Sequence, residues 1–201
     1  MRVRHHVNPL ADLTEHHFTG FSNQRPIIVD IGADRGEFTA GLLKIFGEKK
    51  NFIVSEIRKP LAQRLKDKFK QAKNVAVFDG DLVRNFKNIL YPAAQKGVLI
   101  ETIYLNFPDP WFKKKHKKRR VLGPRLLAEA RGWLNSDTEW IFQTDQEQLF
   151  RETLDFLRQI KGLRWKLFYE PPYGLLTKWE AAQKNRGAQI YRLKFRLPDK
   201  F

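Results

Sequence analysis

Short apolar runs alternate with stretches of helical periodicity along most of the chain, and this order restricts the fold more than any other feature. Ile27 to Asp30, Phe52 to Ile57, Val75 to Phe78, Thr102 to Phe107 and Trp140 to Thr144 read as strands. Glu37 to Phe46, Leu61 to Gln71, Arg125 to Leu134 and Glu147 to Ile160 carry apolar residues at helical spacing, and another helical segment lies between the third and fourth strands. Leu163 to Tyr169 and Gln189 to Leu197 add two late strands. Strands separated by helices pair in parallel, so the expected fold class is α/β, with a mostly parallel seven-stranded sheet and helices on both faces. No repeat, low-complexity segment or long Pro/Gly-rich linker divides it, and residues 26–201 read as one domain. Residues 1–25, polar with scattered His and Arg, read as a basic, poorly ordered arm.

Charge narrows the partners. Lys and Arg number 38 against 22 Asp and Glu, a net charge of +16, which suits a protein that meets nucleic acid. A membrane is the weaker choice, because no apolar stretch approaches the roughly 20 residues needed to span a bilayer and Met1 to His6 lacks the apolar segment of a secretory signal. With no cysteine the fold uses neither disulfides nor thiolate metal sites, and a cytoplasmic location fits. His5, His6, His16, His17 and His116 have no acid cluster at metal spacing, so no metal is expected.

The basic residues concentrate at one place. Asn106, Phe107, Pro108, Asp109, Pro110 and Trp111 stand immediately before Lys113, Lys114, Lys115, His116, Lys117, Lys118, Arg119 and Arg120. Two prolines bracket Asp109 at a strand end and hold its carboxylate in a stiff turn, placed for chemistry. The cationic run behind it would repel itself unless neutralised by a polyanion, and lysine and arginine gain affinity for phosphates by releasing counterions. Together they point to an enzyme working on RNA or DNA. Trp111 is placed either to stack on a base or to pack.

The first βα turn runs from Val29 through Asp30, Gly32, Asp34 and Gly36 to Glu37. Gly32 and Gly36 permit a sharp turn and close approach of a ligand at the carboxyl ends of the strands. The middle glycine of a dinucleotide fingerprint is absent, and acids flank the turn, which would repel a pyrophosphate but suit a cation such as S-adenosylmethionine. Glu56 ends the second strand where an acid can accept hydrogen bonds from both ribose hydroxyls. Asp81, after the third strand, is placed to accept from the adenine amino group. Asp79 competes for that role, and Asp81 is equally placed to cap the next helix. Asp145 likewise is either a rim acid beside Asp109 or a cap for the helix near Glu147.

Ile28-Val29-Asp30-Ile31-Gly32, Asn51 to Arg58, Tyr104 to Trp111, Lys118-Arg119-Arg120, Gln143-Thr144-Asp145 and Thr177-Lys178-Trp179-Glu180, in this order, resemble the motifs of the tRNA (guanine-N7)-methyltransferase family over nearly the whole chain. The resemblance implies a Rossmann-like class I methyltransferase fold and methylation of the variable-loop guanine, position 46, of tRNA. It implies that Asp30, Gly32, Gly36, Glu56, Asp81 and Asp109 hold S-adenosylmethionine, with Asp109 also the catalytic acid. Substrate would be held by Lys113, Asp145, Thr177, Lys178, Trp179 and Glu180, together with the basic run of Lys115, His116, Lys117, Lys118, Arg119 and Arg120. A monomer or homodimer is expected. The chain departs from the pattern at Ala33 and Asp34 in the first turn, at Leu134 to Asp137, and at Trp179, where phenylalanine is usual.

Guanine N7 has a lone pair and no proton, so it needs alignment and stabilisation of developing positive charge rather than a strong base. An ionised Asp109 can supply both by accepting from the N1 hydrogen and the exocyclic amine. The rivals are a methyltransferase for another nucleic acid or for protein, and a catalytically inactive RNA-binding relative.

Overall fold

The computed structural model describes residues 7–199. Seven strands form one sheet: β1 (Ile27–Ile31), β2 (Asn51–Glu56), β3 (Val75–Asp79), β4 (Ile100–Asn106), β5 (Glu139–Thr144), β6 (Arg164–Leu167) and β7 (Tyr191–Arg196). Helices α1 (Glu37–Phe46), α2 (Lys59–Phe69), α3 (Leu82–Gln95), α4 (Pro124–Ala130), α5 (Glu147–Arg158) and α6 (Lys178–Lys184) connect or follow them. The strand order is β3-β2-β1-β4-β5-β7-β6, with β7 antiparallel to both its neighbours and every other pair parallel.

That order places the site. The chain starts at the centre of the sheet, builds outward to β3, and returns to lay β4 on the other side of β1. Connections therefore diverge from the β1–β4 boundary, and a crevice opens beyond the carboxyl ends of these two strands. Alternation along β1 feeds two cores. Val29 and Ile31 join Ile53, Ile103 and Leu105 beneath Phe86, Leu90, Leu126 and Leu149 of α3, α4 and α5. Ile28 joins Phe52, Val54 and Tyr104 beneath Phe38 and Leu42 of α1 and Leu65 and Phe69 of α2. Each large apolar side chain so buried contributes about 1.5–3 kcal/mol. Trp140 stacks between Phe86 and Phe195, with ring centroids 5.9 and 5.7 Å away.

Most expected elements are present with ends shifted by a residue or two. The helix expected to reach Leu134 stops at Ala130, before Gly132 with its φ of 80°. Among the elements not anticipated, two carry expected site residues. The basic run coils into 3-10 turns over Lys114–Arg119, and α6 forms around the Thr-Lys-Trp-Glu motif. Residues 7–25, expected as part of a loose arm, lie against β3 and α3. Asp12 Oδ2 accepts from the Asp81 amide at 2.5 Å, the His16 amide donates to Asn85 Oδ1 at 2.8 Å, and Phe18 packs edge-on against Phe78. Arg2, Arg4, His5 and His6 lie outside the described residues.

Candidate active site

Two cavities adjoin at the carboxyl ends of β1, β2 and β4, and share Gly32, Arg58, Asn106 and Phe107 as lining. The first is also lined by Glu56, Asp81, Asp109, Trp111 and Arg119, and by Val7 and Pro9 from the N-terminal segment. The second, about 450 Å³, takes Asp30, Asp34, Glu37, Thr177, Lys178 and Trp179. Gly32 has a φ of 79° and nothing within 4 Å of where a Cβ would stand, so the floor between the cavities is open backbone. Gly36 differs from expectation. It lines neither cavity, and a Cβ there would come within 2.5 Å of Leu65, so its glycine serves the packing of α1 on α2.

The acids at the strand ends converge, but none waits unengaged. Asp30 is 3% exposed, its Oδ2 accepts from the Thr39 hydroxyl at 2.6 Å, and burial, reinforced by the nearby Glu56 charge, pushes its pKa up to about 6. Glu56 is 2% exposed and takes four hydrogen bonds, from the Asp34 amide at 3.0 Å and from the amide, Nε and Nη2 of Arg58 at 2.9, 2.9 and 3.0 Å. These fill the usual acceptor capacity of a carboxylate, so a ribose diol on Glu56 must take the place of Arg58. Arg58 also reaches Asp34 at 2.7 Å, and its hydrogen bond with Glu56 holds its pKa above the ordinary value. Asp81 takes the capping role: Oδ1 accepts from the Val83 amide at 3.1 Å at the start of α3, and Oδ2 pairs with Arg125. Burial nonetheless raises its pKa. Asp79, the competing acid, is paired with Lys66 at 2.6 Å.

The segment carrying Asp109 is conformationally strained. Phe107 has a φ of 52° and Trp111 one of 43°, left-handed values rare for bulky side chains and costing about 1–3 kcal/mol each. Burial of the Phe107 ring and the hydrogen bond that its backbone N–H donates to the Gln143 carbonyl at 2.8 Å hold the first in place. Trp111 packs edge-on against His116 and under the Arg119 guanidinium, 5.0 Å from its ring centre.

The basic turn divides in two. Lys117 and Arg120 both bind Glu152, at 2.7 and 2.6 Å, and Arg120 Nε donates to the Pro110 carbonyl at 2.8 Å. The Lys117 hydrogen bond, followed by those of Gln148 and Arg120, draws the Glu152 pKa down to about 2. Lys113, Lys114, Lys115 and Lys118 are exposed. So the run expected to meet phosphates throughout spends Lys117 and Arg120 on fixing the turn beside Asp109.

On the far side of the second cavity, the Thr177 hydroxyl accepts from the Glu180 amide at 3.0 Å and starts α6. Glu180 is 0% exposed and pairs with buried Arg192, so the structure makes it an internal anchor where an open substrate contact was expected. Burial raises its pKa against the opposing pull of Arg192. Asp145 does not cap α5, whose N-cap is Gln146; its Oδ2 accepts from the Trp179 indole at 3.2 Å. Tryptophan at 179 thus ties α6 to the end of β5 by a bond phenylalanine cannot make. Arg58, Asn106 and Gln143 stand in the quoted motifs but were given no site role from sequence, and Glu152 and Arg192 were not singled out at all. Arg58, two places after Glu56 in a strand-end motif, was the most findable of them.

The lining fits a cationic nucleoside better than a diphosphate. Carboxylates at the strand ends and in the first turn, Asp30, Asp34, Glu37, Glu56 and Asp81, face the cavities beside an open glycine floor. The comparisons agree. The sequence profile of a family described as "Putative methyltransferase" matches residues 24–193. The chain is 30% identical to a tRNA (guanine-N(7)-)-methyltransferase of Thermosynechococcus vestitus, over 97% of this chain and 94% of the relative. It is 31% identical to the protein of that name from Trichormus variabilis, over 97% and 95%. A solved TehB-like SAM-dependent methyltransferase from Corynebacterium glutamicum shares the fold, with a TM-score of 0.53 at 13% identity, covering 88% of this chain and 83% of that one. The chain belongs to the tRNA (guanine-N7)-methyltransferase family, whose members depend on S-adenosylmethionine.

Proposed function

We propose that this protein transfers the methyl group of S-adenosylmethionine to N7 of guanine 46 in the variable loop of tRNA. The observation that carries the reading is the shared cavity of Asp109, Glu56, Asp81 and Gly32, with exposed lysines on the turn directly behind Asp109. The cofactor supplies an electrophilic sulfonium methyl when bound. Glu56 holds its ribose once Arg58 swings aside, and Asp30 and Gly32 border its cationic end. Asp81 and the Gly80 turn border the adenine side. Asp109 accepts from the guanine Watson–Crick edge, fixing the base and favouring the cation that forms. Lys113, Lys114, Lys115 and Lys118 take phosphates, while Thr177, Lys178, Trp179 and Asp145 form the opposite wall for the nucleotide. Labelled methyl transfer into unmodified tRNA, mapped by cleavage at the modified guanine, tests this. Label at another guanine would correct the position, and label only in DNA or protein would overturn the substrate class.

A further inference from the structure

Arg192 is 4% exposed and crosses behind the site as the head of a chain of buried polar groups. Its Nη2 meets Glu180, its Nη1 donates to the Tyr169 carbonyl at 2.6 Å, and its Nε donates to Gln143 Oε1 at 2.7 Å. A guanidinium has donors only, so Gln143 must turn its oxygen toward Arg192 and its amino group away. That amino group donates to Asn106 Oδ1 at 2.6 Å. Asn106 must then keep its oxygen on Gln143. Both amides are fixed in sense by Arg192, and neither can rotate end for end without setting donor against donor.

The end of this chain is an unsatisfied donor. Asn106 Nδ2 is buried and has no hydrogen-bond partner among the described residues. A buried donor left unpaired is costly to hold, and such exceptions call for a reason. Asn106 lines both cavities and closes β4 just before the strained turn that carries Asp109. We infer that Asn106 Nδ2 donates to O6 of the target guanine and that Gln143 and Arg192 are positioning residues that impose this polarity. The inference rests on the reading of the protein as a guanine-N7 methyltransferase. O6 lies beside N7 on the base, so the donor would sit next to the reacting atom. A neutral amide there discriminates without opposing the positive charge that develops on the ring, as a lysine would. Adenine carries an amino group in place of O6 and would face Nδ2 donor to donor.

The test reverses the donor and reads the base preference. Unmodified tRNA transcripts carrying guanine or 2,6-diaminopurine at the methylated position are compared for kcat/KM, with S-adenosylmethionine affinity measured alongside. Asn106→Asp keeps the acceptor for Gln143 and exchanges only the orphan donor for an acceptor. Gln143→Glu leaves Asn106 in place but offers it an acceptor, so Asn106 turns round and its oxygen takes the position of the orphan donor. Both variants should lower the guanine to diaminopurine preference by at least ~10-fold, with cofactor affinity retained. Asp109 is unchanged in every arm, so its own preference for a protonated N1 cancels. Parallel loss on both transcripts would make the chain merely structural and overturn the inference. Weakened cofactor affinity with an unaltered preference would assign Nδ2 to the cofactor and also overturn it. A wild-type protein that methylates neither transcript would overturn the functional reading itself, and this inference with it.

Discussion

Asp30 and Asp109 are both carboxylates at strand ends, yet they do different work, and each difference can be measured. Asp30 is buried at the wall of the second cavity with one hydroxyl donor, and burial raises its pKa from the ordinary 3.8 to about 6. A carboxyl whose pKa is higher folded than unfolded holds its proton more tightly in the native state. Its contribution to stability is therefore full below about pH 4 and is lost as pH rises through about 6. Asp30→Asn, which keeps the Thr39 acceptor without the charge, should raise the urea midpoint at pH 7, with the gain shrinking toward pH 4. A pH-independent gain would mean that Asp30 ionisation is not what costs stability. Asp109 stands in a turn at the cavity instead, and Asp109→Asn makes a pure acceptor partly a donor. Methyl transfer to tRNA should fall by at least ~100-fold while cofactor affinity stays near normal. Near wild-type turnover would leave Asp109 a structural residue. The identity of these acids was legible in the sequence because each follows an apolar run. The engagement of the strand-end acids was not, since Thr39 reaches Asp30, Arg58 reaches Glu56 and Arg125 reaches Asp81 only in the folded chain.

The basic turn shows the same gap between pattern and pairing in a whole segment. Its charge was plain in sequence, but Glu152 lies on α5, and nothing local marks it as the partner of Lys117 and Arg120. The exposed lysines and the paired residues should therefore respond differently. Alanine at Lys114, Lys115 or Lys118 should each flatten the slope of log tRNA affinity against log salt by about one unit. Alanine at Arg120 should act chiefly by loosening the turn through the lost Pro110 contact, lowering kcat by more than a single phosphate contact explains. An unchanged slope in the triple lysine variant would move RNA recognition to another surface. The five parallel strands were readable because central strands are continuous apolar runs, a signal that needs no tertiary information. Helix α6 was missed because it is short and mostly polar. Its Thr177 to Glu180 spacing is nevertheless a capping box in sequence, and the Thr177 cap is made in the structure. What anchors it, the Glu180 pair with Arg192 on β7, is a contact between distant segments.

The N-terminal segment completes the cavity that the sheet topology opens. Val7 and Pro9 line the cavity of Glu56, Asp81 and Asp109, and Asp12 Oδ2 accepts from the Asp81 amide at the β3–α3 turn. Composition suggested a loose arm because the anchors are isolated polar and aromatic residues, Asp12, His16, Phe18 and Phe21, without the periodicity that signals an element. Removing residues 1–12 takes away one cavity wall and leaves the Asp81 amide without its acceptor. Loss of a partner for a buried amide costs about 1–3 kcal/mol, so the truncated protein should unfold at lower urea and bind S-adenosylmethionine more weakly. Asp12→Ala separates the two effects: it removes the acceptor but keeps Val7 and Pro9, so stability should fall while cofactor affinity holds better than in the truncation. Equal cofactor affinity in truncated and full-length protein, measured by calorimetry below the unfolding transition, would show that the sheet and its loops alone form the cofactor site.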